Sequence, residues 1–412
     1  MFLEIIHWSA LVIATVAGYI YFRDLGDVTQ IFMNVTRQSI VKTIRNEKLL
    51  IGLGVGGITV GIATHFLAQS GHGGALTAIS AAVVFMFCFP YIWLRVGLRN
   101  QQNTATYYSV EEARRYVRSE DSGVVIEHNG LARAHPNYHI KRPHLAGTPH
   151  GLNGKNVIMT YCALSHLGMG YIPEIENEKL DLVVIAQHGN NLIMKDKATG
   201  EPIQQVYGSR ERDGQQGPQM TPWPTFRMSF AGFAKAYPEG QVFLNKIVPF
   251  KKNPILNIFD NFIEGVFLWG VTAQHVEESL LMDTLENEDD RLPRKTLIWG
   301  VNIDGEAAAF TEEFVRKNDN LVNATVGGRQ LVIAYSTEFE SMGVYYNDTS
   351  AEVTQVDFWG DSNVGKLKRV ETLQAGAYWC VWYNYFPHTK LNELDSLDEL
   401  SADETPAIAA AS

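Results

Sequence analysis

Residues 153–171 read NGKNVIMTYCALSHLGMGY, and residues 327–346 read GGRQLVIAYSTEFESMGVYY. Gly154 falls on Gly328, Tyr161 on Tyr335 and Tyr171 on Tyr345, at a constant offset of 174. A second pair of blocks agrees: VVIEHNGLARAH around Gly130 is answered by WGVNIDGEAAAF around Gly305, at an offset of 175. A nearly constant offset over two blocks reads as two tandem copies of one unit. The unit is β-rich, with short apolar runs such as 124–128, 156–161 and 182–187 bounded by glycine. Asn129 and Asp304, just before the first glycines, suit tight hairpins because both residue types tolerate left-handed backbone.

Outward from these blocks the chain changes character. Residues 5–22, 49–68 and 75–94 are uncharged apolar runs, each close to the ~20 residues that cross a bilayer as a helix. A cleaved signal peptide is the alternative for the first run, but no basic leader precedes it and no small-residue cleavage site follows. Residues 69–74 then link the second and third spans as a tight hairpin. Arg23, Arg37, Lys42, Arg45 and Lys48 lie between spans one and two, and Arg95 and Arg99 follow span three. The positive-inside rule puts these flanks, and everything after residue 100, in the cytoplasm of a bacterial or archaeal cell. Residues 28–49 alternate apolar and basic side chains at helical spacing, as a helix lying on the membrane surface would. Gly52 with Gly56 and Gly57 with Gly61 are small-xxx-small pairs that permit close helix packing.

The expected architecture is a membrane-anchored α+β protein. Region 1–100 carries three N-terminal transmembrane helices, 105–219 the first β-rich repeat and 293–390 the second. Residues 109–118 read as one short amphipathic helix opening the first repeat. A partly helical connector, 220–292, has helical stretches at 225–236, 256–267 and 272–281, and its apolar content points to packing on the sheets or the membrane. Residues 391–412 are acidic, without a base or an aromatic residue, and read as a disordered tail. Among 412 residues, 45 acids against 34 bases give a net charge of −11, which argues against nucleic acid as a partner. The expected partners are the lipid bilayer and other membrane subunits. Cys88, Cys162 and Cys380 are too few for a disulfide framework.

The two copies differ in chemistry. Seven of the twelve histidines lie between His128 and His188, whereas the second copy holds only His388. Copy one reads Cys162-x3-His166-x2-Met169 where copy two has Ser336, Glu340 and Gly343. A thiolate, an imidazole and a thioether on one loop can converge on a soft metal, and copper is the natural ion. The loop resembles the ligand loop of cupredoxins, which takes a second histidine from elsewhere; His135, His139, His144, His150 and His188 are all available. Two other readings stand beside it: a buried Cys162 acting as a small hydrophobe, and a nucleophilic Cys162 activated by His166 or His144. Glu338 and Glu340 read as a solvated edge, the Arg210–Arg212–Asp213 cluster as surface, and Trp379, Trp382 and Tyr383 as core at strand spacing. No phosphate-binding glycine loop, serine-hydrolase elbow or zinc CxxC pair is present.

Four blocks also resemble the domain of unknown function 3179 family of bacteria and archaea. Residues 129–136 (NGLARAHP) look like its Asn-Gly-x-Ala-Arg-Ala-Tyr-Pro block, and residues 155–165 like its strand ending in Thr-Tyr-Cys-Pro-Leu-Cys. Residues 194–200 (MKDKATG) look like its Met-Tyr-Asp-Arg-x-Thr-Gly turn, and residues 378–389 like its closing Phe-Trp-Phe-Ala-Trp, Phe-Pro-x-Thr segment. The resemblance covers about residues 120–390. Ser165 stands where the family has a second cysteine, and His166 where it has a small residue. The family's Trp-His pair is best matched by Pro143-His144, which the resemblance makes the preferred partner of Cys162, and Met194 stands at the family's Met position. Family members mostly look exported, against the inward orientation read from the basic flanks. The expected metal set is therefore Cys162, His166 and His144 with Met169 or Met194, His139 being a further imidazole, in a metal-binding or redox-associated membrane protein. The alternative is a non-catalytic binding or scaffolding subunit of a larger membrane complex.

Overall fold

The computed structural model describes residues 1–26, 33, 35–69, 71–245, 254–349 and 351–392. Four helices open the chain: α1 (Phe2–Leu25), α2 (Arg37–Arg45), α3 (Glu47–Ala68) and α4 (Gly73–Ile92). α1, α3 and α4 are long and apolar enough to cross a membrane. α1 packs along α3 through the second glycine pair. A Cβ at Gly57 would lie 2.5 Å from Ala10 O, and one at Gly61 would lie 2.8 Å from Leu11 Cδ2. Gly52 and Gly56 face open space. α2 starts where Thr36 accepts from Ser39 N, and it buries Ile40, Thr43 and Ile44. The rest of the surface helix expected over 28–49 lies partly outside the described residues, as does the acidic tail from residue 393. Pro90 sits inside α4, and residues Trp93–Gly97 continue it as a π turn, a wider winding often found where a ligand or partner approaches.

The β-rich region contains two similar pairs of sheets. One sheet orders Tyr107–Ser109, Gln241–Phe243, Leu131–Pro136, Ser122–His128 and Thr225–Ser229; another orders Lys390–Leu391, Glu306–Phe310, Leu297–Ile303 and Gln374–Tyr378. In both, the short strand that flanks the hairpin on its second arm (Gln241–Phe243, Lys390–Leu391) pairs parallel and the rest antiparallel, Tyr107–Ser109 adding one more strand outside it in the first sheet. A second sheet orders Leu145–Ala146, Ile158–Cys162, Leu167–Ile172 and Thr221–Trp223, and its counterpart orders Leu321–Val326, Arg329–Ser336, Ser341–Tyr346 and Lys368–Arg369. The turns correspond too: Asn129–Gly130 has φ of +47° and +82°, and Asp304–Gly305 has +49° and +88°, the left-handed pair of a two-residue hairpin.

Several elements differ from expectation. Residues 225–236 form a strand and then a helix, because Phe226 and Met228 alternate with Arg227 and pair with Ser122–His128 before Ser229 caps Phe230–Ala236. The first sheet therefore runs to Phe243, well into the segment expected as connector. The two helical stretches near 256–267 and 272–281 are one helix, Pro254–Val276, which passes through Gly270 unbroken and stops before Glu277 and Glu278. Of residues 109–118 only Val110–Ala113 is helical, started by a capping box of Ser109 and Glu112. Trp379 and Trp382 are buried as expected, but on a helix, Trp379–Tyr385. The largest hydrophobic cluster is continuous from Tyr21 and Leu25 of α1 through Leu94 and Leu98 to Cys162, Leu192 and Trp382. Helices and sheets share one core.

Candidate functional site

Strand alternation sorts the residues around Cys162 onto two faces. Ile158 and Cys162 join the cluster that reaches the apolar helices, while Met159, Tyr161 and Ala163 join a separate one behind the sheet. Across the hairpin Thr160 pairs with Met169 and Cys162 with Leu167, which puts Met169 on the Cys162 face. Met194, on the strand Asn191–Asp196, is fully buried in the same cluster. The Tyr171 hydroxyl lies 3.2 Å from Met169 Sδ and donates to Gln205 O at 2.7 Å. The Cys162 thiol points at Asn190 O, 3.5 Å away. Burial pushes the Cys162 thiol up, the opposite direction from that of an activated nucleophile.

His166 turns away from this face. The turn requires left-handed backbone there, φ +57° at His166 and +50° at Glu340 in the other half. The imidazole Nδ1 donates to Gly376 O at 2.8 Å, and Nε2 accepts from Asn137 Nδ2 at 3.0 Å. The ring stacks on Tyr378 at 5.5 Å and meets the His275 ring at 5.4 Å. His275 Nδ1 in turn bonds the Tyr378 hydroxyl. Arg227 anchors the group, donating to His166 O at 2.7 Å, Asn137 Oδ1 at 3.1 Å and Ala375 O at 3.2 Å. Among the described residues no carboxylate pairs with it. Burial first, then Arg227 and His275, hold His166 far below the ordinary imidazole value, so it is neutral. Burial likewise lowers His275 to about 4. Both glutamates of the equivalent turn are engaged: Lys235 pairs with Glu338 at 3.0 Å and Ser229 donates to Glu340 at 3.1 Å.

His144 takes the other side. It follows the short helix Asn137–Ile140 with φ +68°, and its Nδ1 donates to Tyr161 O at 3.0 Å. Burial lowers it to about 4. His144 and Cys162 line one partly open cavity of about 100 Å³. Its other walls are apolar: Trp93 and Leu98 after α4, Val184 and Leu192 of the neighbouring sheet, and Phe267 and Trp269 of the helix Pro254–Val276. Gln187 is the remaining polar lining residue. His139 is buried on the short helix with its ring 5.7 Å from Tyr138.

The structure thus brings Cys162 and His144 to one cavity, keeps Met169 and Met194 in the adjoining core, and places His166 in a separate polar cluster. Among the described residues no three His, Cys, Asp or Glu side chains gather as a metal-holding group. Sequence reasoning did not single out Arg227, His275, Phe267 or Trp269. A lone arginine among the apolar residues of 225–230 was the available signal for the first. The others sit in the connector, whose apolar content points to packing and marks no site.

No curated protein and no solved structure matches the chain. A family model described as protein of unknown function (DUF3179) matches residues 98–389, most of the chain, and the protein belongs to that family.

Proposed function

We propose that the protein is a membrane-anchored binding module that holds a small apolar molecule in the cavity beside Cys162. The cavity wall carries the reading: apart from His144, Cys162 and Gln187 it is hydrocarbon and aromatic surface. An engineered apolar cavity of ~150 Å³ stays dry and takes benzene. A space of about 100 Å³ therefore suits a single ring or the last few carbons of an acyl chain. Three further elements belong to this reading. The apolar α1, α3 and α4 span a bacterial or archaeal membrane. The basic residues of the α1–α3 segment, absent between α3 and α4, support a β-rich region on the cytoplasmic side. The matched sheet orders and left-handed turns support two copies of one β unit.

Photolabelling tests the cavity. The probe is 3-trifluoromethyl-3-phenyldiazirine, an apolar carbene precursor of ring size, applied to the full chain in lipid nanodiscs. Adducts are expected on residues 162–164 and on lipid-facing Phe85. Gly270 lines the cavity, and a Cβ there meets only Leu281 at 3.8 Å. Gly270→Leu fills the space and should cut labelling of residues 162–164 at least fivefold while leaving Phe85 labelled. Labelling of Phe85 alone in the unmodified protein would remove the proposal.

A second occupant has one specific observation in its favour. Cys162 and His144 share the cavity, and His144 Nδ1 is already committed to a backbone carbonyl, the usual way in which a metal-binding imidazole is oriented. Copper(I), which favours soft thiolate and imidazole donors, fits that pair with a Met from the adjoining core. The raised thiol works against it, since binding requires the thiolate. Anaerobic competition with bathocuproine decides between the two: one tightly held copper(I), lost in Cys162→Ser, supports the metal, and weak binding unchanged in that variant dismisses it.

A further inference from the structure

The helix Pro254–Val276 has two apolar faces, and the core uses only one. Ile263 and Gln274 are fully buried, and Phe267 packs against His144 and Trp93. On the opposite side Ile258 is 72% exposed, Phe262 64%, Trp269 61% and Val276 75%. At 100° per residue these four positions fall within about 40° of one another, one stripe along the whole helix. A stripe of large apolar side chains in water is an interaction surface.

The helix charges are turned the other way. Asp260 takes Arg142 at 2.6 Å and Arg99 at 3.4 Å, and Glu264 takes Arg142 at 3.1 Å and Lys141 at 3.6 Å. All of these partners belong to the protein body, so the stripe itself is uncharged. The helix is also joined, through Phe267 on its inner face, to the lipid-facing side of α4. Exposed Phe85 and Phe89 lie 5.5 Å apart, Phe89 stacks on Trp93 at 6.4 Å, and Trp93 stacks on Phe267 at 6.3 Å. An unbroken row of aromatic rings thus leads from the surface of an apolar helix onto the helix Pro254–Val276.

We infer that the helix Pro254–Val276 lies in the bilayer interface, its Ile258–Phe262–Trp269–Val276 stripe seated among the acyl chains of the leaflet in which α4 ends. The partner is the lipid itself. Trp at such a depth is the usual interfacial anchor, and a helix with an apolar stripe and inward-turned charges lies in the membrane plane rather than across it. The inference rests on the membrane anchoring proposed above and adds an entry route, because Phe267 and Trp269 wall the cavity beside Cys162. A small apolar molecule dissolved in that leaflet reaches the cavity without crossing water.

Spin-label accessibility tests the placement on the full chain in phosphatidylcholine nanodiscs. Cys88, the one exposed cysteine among the described residues, is replaced by Ala, and single labels are introduced as Phe262→Cys, Val276→Cys, Asn261→Cys and, as the span control, Phe85→Cys. Labels at 262, 276 and 85 should collide with oxygen at least threefold more than with nickel-EDDA, and the label at 261 should report less lipid than its neighbour at 262. A lipid signature at 85 with an aqueous one at 262 and 276 would overturn the interfacial helix and leave the anchoring intact. An aqueous signature at 85 would overturn the anchoring and this inference with it. Phe262→Asp adds a second readout: it should weaken retention of the helix in the lipid, seen as nickel-EDDA access at 276, while Asn261→Asp should not.

Discussion

His135 shows what the histidine-rich stretch is made of. Its Nδ1 donates to Val124 O at 3.3 Å and its Nε2 accepts from the Tyr107 hydroxyl at 2.8 Å, with the ring fully buried. Burial lowers it to about 3, and His144 and His275 to about 4. Below pH 6.5 the unfolded imidazoles bind protons that the folded ones refuse, so stability rises with pH through this window and falls on acidification. Each such histidine contributes up to ~1.4 kcal/mol per pH unit between its folded value and 6.5. Urea unfolding of the full chain at pH 4.5, 5.5 and 6.5 should therefore show a steep acid loss. His135→Asn, which keeps a donor for Val124 O, should reduce that slope by ~1.4 kcal/mol per unit; an unchanged slope would mean that His135 stays neutral in the unfolded chain or titrates in the fold. The spacing of Cys162, His166 and Met169 was legible in the sequence, and so was the strand that ends at Cys162, but Met169 lies within the next strand and not on one loop with the other two. Which way each side chain points was not legible. That depends on the left-handed φ at His166 and on Arg227, His275 and Tyr378, which arrive from 61, 109 and 212 residues away.

At the scale of elements, the length of the uncharged apolar runs located the helices to within a few residues, because runs of that length have one stable form in a bilayer. It could not say which glycine pair is used. Gly57 and Gly61 contact α1, whereas Gly52 and Gly56 meet nothing within 4 Å, a choice made by the partner helix and not by α3. Gly57→Leu should lower the thermal stability of the detergent-solubilised protein by ~1–3 kcal/mol, the usual cost of forcing side-chain volume into a packed contact. Gly56→Leu should change it by less than ~0.5 kcal/mol. Equal effects in the two variants would show that α1 does not pack on this face. Residues 225–236, expected as one helical stretch, differ for a related reason. A short alternating run beside a helical one looks continuous in sequence, and only pairing with Ser122–His128 separates strand from helix.

Across the whole molecule, a set of charge pairs ties the apolar helices to the β-rich region. Arg37 of α2 meets Glu211 at 2.6 Å, the pair partly buried, and Arg45 of α2 meets Glu201 at 2.7 Å nearer the surface. The deepest pair is Glu47, at the start of α3, with Lys195 of the strand Asn191–Asp196. Their side chains are 10% and 5% exposed, and the Tyr21 hydroxyl of α1 donates to the same carboxylate at 2.9 Å. Such a pair adds little net stability over a well-packed apolar alternative, but removing one partner strands the other, at ~3–5 kcal/mol. Its role is then to fix how the helices seat on the sheets. Lys195→Met should lower the Tm of the full chain sharply, and Glu47→Gln with Lys195→Met should recover most of the loss. Near-UV circular dichroism follows the seating, since Tyr21 lies in the shared cluster. A coupling of ~2 kcal/mol or more from the double-mutant cycle means that helices and sheets fold as one unit. Additive losses would mean that the two parts seat through the apolar core alone, and the cavity beside Cys162 would then keep its shape without the pair.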